Sequence, residues 1–145
     1  MKELTYKFIE NDRELEGINA VRREVFVEEQ GIAASLVFSS ERCDEELDVA
    51  VIYGGMVIGT ARVVFPARDT AKIERMAVLT RFRNKKVGKG IIAFLNNQFK
   101  HRQVKKVILH AQHTATGFYQ SCGFCESGPN FYEAGIKHIK MELRY

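Results

Sequence analysis

Two runs rich in β-branched residues, LDVAVIY (47–53) and MVIGTARVVF (56–65), meet at Gly54-Gly55. Branched side chains lose rotamer freedom in a helix and pack well on a pleated surface, so both runs favour strand. A glycine pair supplies the positive backbone φ that a tight two-residue turn demands. The expected product is a β-hairpin, which commits the chain to a sheet with antiparallel neighbours. AKIERMAVL (71–79) reads as a third strand of the same series.

The other segments arrange themselves around that series. LTYKFIE (4–10) alternates as an opening strand. Asn11 or Asp12 can cap a helix reaching about Phe26, with Leu15, Ile18, Val21 and Val25 at helical spacing. Residues 27–46 are less regular and turn acidic. An apolar helix is expected over roughly 88–101, a buried strand at KKVILHA (105–111), and a short helix over 114–121 stopped by Gly123. HIKMELRY (138–145) closes the chain as a strand. Strands first, then strands alternating with helices, predict an α+β (mixed α/β) domain with a largely antiparallel sheet. No repeat or linker interrupts it, and Pro66 and Pro129 fall in apparent loops. With 145 residues, 46% of them hydrophobic, residues 1–145 are expected to form a single domain with its own core.

Charge and cysteine usage narrow the function classes. The net charge of +4 is small for a nucleic-acid binder, so no nucleic-acid partner is expected. No run approaches the roughly 20 apolar residues of a membrane span, and MKELTYKFIEND carries charges where a secretion signal would be apolar. A cytoplasmic protein is the expectation. Cys43, Cys122 and Cys125 are an odd set with no disulfide framework to serve. Cys122-Gly-Phe-Cys125 lies at a helix end, not between a strand and a following helix, so it reads as structural. His110 and His113 lack accompanying carboxylates or thiolates in sequence, and no metal site is expected. The acids gather at Glu41, Asp44, Glu45, Glu46 and Asp48.

The positive charge is concentrated instead in RFRNKKVGKG (81–90), where five of ten residues are basic. This segment joins a strand to a helix. A helix N-terminus offers backbone N–H groups without intrahelical partners, and its dipole adds positive potential. Glycine lets an anion approach the backbone closely, and phosphate is the natural guest. The spacing is neither that of a P-loop nor that of a first-strand dinucleotide turn.

Residues 72–95 resemble the core of the GNAT superfamily of acetyl-CoA-dependent N-acetyltransferases: a strand (IERMAVL), a pyrophosphate turn of the form R/Q-x-x-G-x-G/A, and an amphipathic helix. Arg83 to Gly88 supply the turn, with Lys86 standing where the family usually has its first glycine. An alternative register, Lys85 to Gly90, restores both glycines and loses the arginine. Ala115, Phe118, Tyr119, Gly123 and Phe124 are similar to the family's A-x-x-F-Y-x-x-x-G-F signature. Arg22 to Gly31 and EAGIKHIKM (133–141) resemble its small ElaA-like branch.

The resemblance implies a twisted, mostly antiparallel sheet of six or seven strands flanked by about four helices. It implies acetyl-CoA as co-substrate, transfer to an unidentified amine of a small molecule or peptide, and is compatible with a homodimer. Met76, Ala77 and Val78 would meet the pantetheine arm and thioester. Arg83, Asn84, Lys85, Lys86, Val87, Gly88 and Lys89 would hold the phosphates, and Gln112 would contact the cofactor. Tyr119 would protonate the leaving thiolate. Glu74 is the candidate base, with Glu28 and Glu29 as alternatives. A non-catalytic acyl-CoA-binding module and an acyl-homoserine-lactone synthase-like enzyme are the competing readings.

Overall fold

The computed structural model describes residues 3–38 and 45–145. Cys43, Glu41 and Asp44 lie outside them. One seven-stranded sheet runs β1 (Thr5–Phe8), β2 (Glu46–Tyr53), β3 (Met56–Ala67), β4 (Thr70–Val78), β5 (Lys106–Gln112), β7 (Ile136–Arg144), β6 (Cys125–Glu133) in spatial order. Among the described residues only β4 and β5 pair in parallel, over Thr70–Ile73 and Lys106–Leu109. Among the described residues, four α-helices accompany the sheet: α1 (Asp12–Arg22), α2 (Ala34–Val37), α3 (Val87–His101) and α4 (Thr116–Ser121). The α+β architecture expected from the sequence is the one observed.

The hairpin forms at Gly54-Gly55, both at positive φ (57° and 81°), with Tyr53 opposite Met56. Asn11 caps α1, its side-chain oxygen accepting from the Glu14 N–H at 2.8 Å. The expected first helix does continue past Arg22, but its winding changes: Arg23–Glu29 is π-helical and ends with the Gln30 N–H on the Val25 carbonyl. One and a half turns of apolar spacing cannot separate the two windings. Gly123 stops α4 at φ 96°.

α3 presents Val87, Ile91, Ile92, Leu95 and Phe99 to the core, all nearly without exposure. Each such burial contributes roughly 1.5–3 kcal/mol before entropy is counted. On the α1 side, Ile18 and Val21 are buried, and so is Arg22 at 1% exposure. Arg22 donates to Asp48 Oδ1 at 2.7 Å, tying α1 to β2, while its Nε has no partner among the described residues. Glu46 and Asp48, expected as part of an acidic patch, are engaged inside the fold: Arg62 lies 2.9 Å from Glu46 and 3.5 Å from Asp48. No helix among the described residues is long and apolar enough to cross a membrane.

Candidate active site

β4 carries an extra residue against β3. Glu74 pairs with Arg62 and Ala77 with Thr60, so Arg75 and Met76 together oppose Ala61. Arg75 takes a left-handed φ of 50° to accommodate this bulge, and such bulges re-aim side chains next to functional sites. Arg75 reaches α2, donating to the Val37 carbonyl at 3.0 Å and the Leu36 carbonyl at 3.2 Å. Met76 turns the opposite way, toward α3 and α4.

Beyond Ile73 and Leu109, β4 and β5 no longer pair. The strands continue to Val78 and Gln112, so the sheet opens into a wedge. Leu79 N–H bonds the Ile58 carbonyl on β3. Strand alternation therefore turns the N–H and C=O of Val78 toward the open side. Arg83 Nε donates to that carbonyl at 2.9 Å, and the Val78 N–H is turned into the opening beside it.

The basic turn closes one end of the wedge. The Gly90 N–H makes the first helical bond of α3, to the Lys86 carbonyl at 3.0 Å, and no side chain caps the helix. The N–H groups of Val87, Gly88 and Lys89 consequently have no intrahelical acceptor. Asn84 and Lys86 both hold left-handed φ, 60° and 65°. Lys86 thus adopts the conformation glycine would adopt there, at an energetic cost. Lys86→Gly is expected to stabilise the fold by about 0.5–1 kcal/mol, net of the extra freedom gained by the unfolded chain. A raised urea midpoint at constant slope would show it, and an unchanged midpoint would mean that the turn stores no strain.

The two glycines of the turn differ in what they face. A Cβ on Gly88 would lie 3.0 Å from Phe118 Cζ and 3.4 Å from Met76 Cε, within the cavity wall. A Cβ on Gly90 would collide with the Tyr6 hydroxyl, against β1. Gly88 is the glycine that opens onto the cavity, and Gly90 serves packing.

The wedge forms a cavity of about 910 Å³. Met76, Ala77, Val78, Arg83, Asn84, Lys86, Val87, Gly88, Lys89, Gln112, Tyr119 and Glu74 all line it, while Lys85 does not. Tyr119 is half-buried between Phe118 and Phe124, with ring centroids 5.1 and 5.9 Å away. Its hydroxyl reaches Met76 Sδ at 3.7 Å, a weak partner that a better acceptor can displace. Burial, helped by neighbouring Cys122, pushes the phenol up to about 12, so it holds its proton throughout the neutral range. Cys122 and Cys125 are both free.

Several expected side chains have protein partners. Arg83 grips Glu29 with both guanidinium arms, at 2.7 and 2.8 Å. Thr80 Oγ1 adds a third donor to Glu29 at 3.1 Å. The hydrogen bonds from Arg83 hold the Glu29 carboxyl below the usual range, and neither Glu29 nor exposed Glu28 lines the cavity. Glu74 lines it, but its two oxygens oppose Arg75 at 3.1 Å and Lys72 at 3.6 Å. Gln112 exchanges amide hydrogen bonds with Gln30 at 2.8 and 3.3 Å, joining the end of β5 to the end of the π-helical turn.

A histidine–carboxylate group also enters the cavity, and the sequence reading did not assemble it. His110 Nδ1 lies 3.2 Å from Glu133 Oε1, and His138 Nε2 lies 3.8 Å from Glu133 Oε2. All three residues line the cavity. His113, the histidine near His110 in sequence, sits exposed on the 3₁₀ turn after β5.

Comparison with known proteins places this arrangement in a family. The sequence profile of the acetyltransferase (GNAT) domain matches residues 40–145. YyaT of Bacillus subtilis is 32% identical over 143 residues, covering 95% of this chain and 94% of YyaT. YjcF of the same organism, named as an uncharacterized N-acetyltransferase, is 34% identical over 137 residues, covering 90% and 93%. The crystal structure of Escherichia coli ElaA superposes with a TM-score of 0.86 at 22% identity, covering 98% and 100% of the two chains. An aminoglycoside 6′-N-acetyltransferase complexed with coenzyme A superposes at 0.78 and 13% identity, covering 97% and 96%. The uncapped α3 terminus, its flanking lysines and the open wedge suit the phosphates and extended arm of acetyl-CoA, the co-substrate of these enzymes. The chain belongs to the GNAT acetyltransferase family.

Proposed function

We propose that the protein transfers the acetyl group of acetyl-CoA to a primary amine of a small molecule or peptide, by direct attack of the amine on the thioester. The observation that carries this reading is the wedge between β4 and β5, with unpaired amides at its basic end and a protonated phenol at its wall.

The N–H groups of Val87, Gly88 and Lys89 hold the pyrophosphate, with Lys86 and Lys89 adding charge. The pantetheine arm lies along the unpaired edge of β4 at Met76–Val78. The Val78 N–H, turned into the opening, donates to the thioester oxygen as it becomes an oxyanion. One such preorganised donor is worth about 2.7–4 kcal/mol in enzymes generally. Tyr119, exchanging Met76 for the departing sulfur, stabilises the thiolate by hydrogen bonding. A phenol raised to about 12 is a reluctant acid, so its contribution is a donated hydrogen bond to developing charge more than early proton release.

Tyr119→Phe keeps the ring packing and removes only the hydroxyl. The expected result is a fall in kcat of about 10²-fold, within the span usual for such groups, with KM for acetyl-CoA nearly unchanged. Thiol release followed with a disulfide reagent measures both. A variant with full kcat would remove Tyr119 from the chemistry.

A further inference from the structure

The acceptor amine has to lose a proton before it can attack, because free amines are largely protonated at neutral pH. The group that takes this proton is identifiable from the geometry on the α1–α2 side of the wedge, and the inference rests on the acetyltransfer reading above. Glu74 is poorly placed, since both of its oxygens are turned to cations. Glu29 is consumed by Arg83 and Thr80.

His110 stands at the point where the sheet opens. Leu109 is the last β5 residue paired to β4, and His110 is the next along. Its ring packs edge-on against Phe131 at 5.0 Å, which fixes the plane. Glu133, at the end of β6, faces Nδ1 at 3.2 Å. An ionised carboxylate can only accept, so Nδ1 carries the hydrogen and Nε2 keeps a bare lone pair. No partner meets Nε2 among the described residues. His138 has a different environment: it is 6% exposed, and its Nδ1 donates to the Ile136 carbonyl at 2.7 Å. It buttresses Glu133 from behind and stacks on Phe131 at 5.8 Å.

We propose that His110 Nε2 is the proton acceptor for the incoming amine, and that Glu133 is the positioning residue that fixes its tautomer and supports the imidazolium. The ammonium gives one proton to Nε2. The freed amine attacks the thioester carbonyl, its N–C bond forming as the C–S bond breaks. The second nitrogen proton passes to the leaving sulfur, beside the Tyr119 hydroxyl. The imidazolium then releases its proton to water. The products are the N-acetyl amine, CoA thiol and one proton. Apolar Ile32 and Val37 also line the cavity, so an amine on an apolar body suits it.

The charged and titratable groups facing His110 are Glu133 from β6, His138 and Lys140 from β7, and Lys72 and Glu74 from β4. Thiol release from acetyl-CoA should be followed between pH 6 and 9 with benzylamine, spermidine and alanine amide as probe acceptors. Wild type is expected to show an acid limb in kcat/KM for the amine. His110→Gln should lower the plateau by about 10²-fold or more and replace a limb common to the three amines by one that follows each amine's own ionisation, while acetyl-CoA affinity by calorimetry is retained. Glu133→Gln should move the limb to lower pH, a shift that a merely structural role would not produce. The ¹⁵N pattern of His110, readable without any substrate, should be that of the Nδ1–H tautomer.

Four results would overturn the proposal. They are a limb common to the three amines that survives His110→Gln, such a limb lost in Glu74→Gln instead, an Nε2–H tautomer, or acetyl-CoA binding with no thiol release to any probe amine. Failure of wild type to bind acetyl-CoA is a separate outcome, which removes the reading beneath the proposal and the proposal with it.

Discussion

Gly88→Glu is expected to weaken acetyl-CoA binding by two to three orders of magnitude while leaving the fold intact. A side chain at 88 starts only 3.0 Å from Phe118 and 3.4 Å from Met76, in the wall of the cavity. Its carboxylate then occupies the uncapped start of α3, where the phosphates are proposed to sit. Two like charges about 4 Å apart repel by roughly 4 kcal/mol at an effective dielectric of 20, enough for a loss on the order of 10³-fold. An acidic residue in the first helical turn is itself favourable to the helix dipole, so the melting temperature should hold or rise. Calorimetric affinity and thermal melting, measured together, separate a blocked cradle from a damaged fold. Retained affinity would place the phosphates elsewhere.

The largest effect on stability is expected from Asp48→Ala. Among the described residues Asp48 is the one hydrogen-bonded partner of the buried Arg22 guanidinium, whose Nε is unpaired there. Burial alone pushes the Arg22 charge toward loss, and Asp48 opposes that. Removing Asp48 leaves a cation with 1% exposure and no compensating charge at hydrogen-bond distance. Breaking such a pair costs about 3–5 kcal/mol. Arg62 suffers less, because Glu46 remains 2.9 Å away. The double variant Arg22→Met, Asp48→Leu should recover much of the loss, since apolar packing replaces a buried ion pair well. Urea unfolding measures both. A loss under about 1 kcal/mol in Asp48→Ala would mean that water or Arg22 itself relaxes into the gap. The consequence reaches the cavity, because α1 leads through the π-helical turn to Gln30.

How much of this was legible in the sequence follows from how local each feature is. The β2–β3 hairpin was readable because β-branched residues and Gly54-Gly55 act within a dozen positions. The capped α1 and the α3 stripe were readable for the same reason. β6 was not: CESGPNFYE contains Pro129, Gly128 and no apolar alternation, and most of it is exposed on the sheet edge. Its register slips between Glu126 and Asn130, around the proline, as expected where a residue cannot donate to the ladder. α2, four residues long, is held by Arg75 from the β4 bulge rather than by its own pattern.

Site residues divide the same way. Gly88, Tyr119 and the Met76–Val78 strand sit in contiguous motifs, and all of them line the cavity. The pairings of Arg83 with Glu29 and of Gln30 with Gln112 join residues 54 and 82 positions apart, beyond any spacing rule. The contact of His110 with Glu133 required β6, the strand the sequence concealed, to bring the carboxylate to the ring. The resemblance could point to the end of the wedge proposed for the phosphates, whereas the end proposed for the acceptor had to be read from the assembled sheet.

The most direct test of the account is isothermal titration of acetyl-CoA into the wild-type protein, with desulfo-CoA and inorganic phosphate as controls. The wedge and the uncapped α3 predict saturable binding of acetyl-CoA in the micromolar range, retained in large part by desulfo-CoA and far weaker for phosphate alone. An absence of binding would mean that Lys86 closes the cradle its backbone helps to form, and the acetyltransfer reading would fall with it.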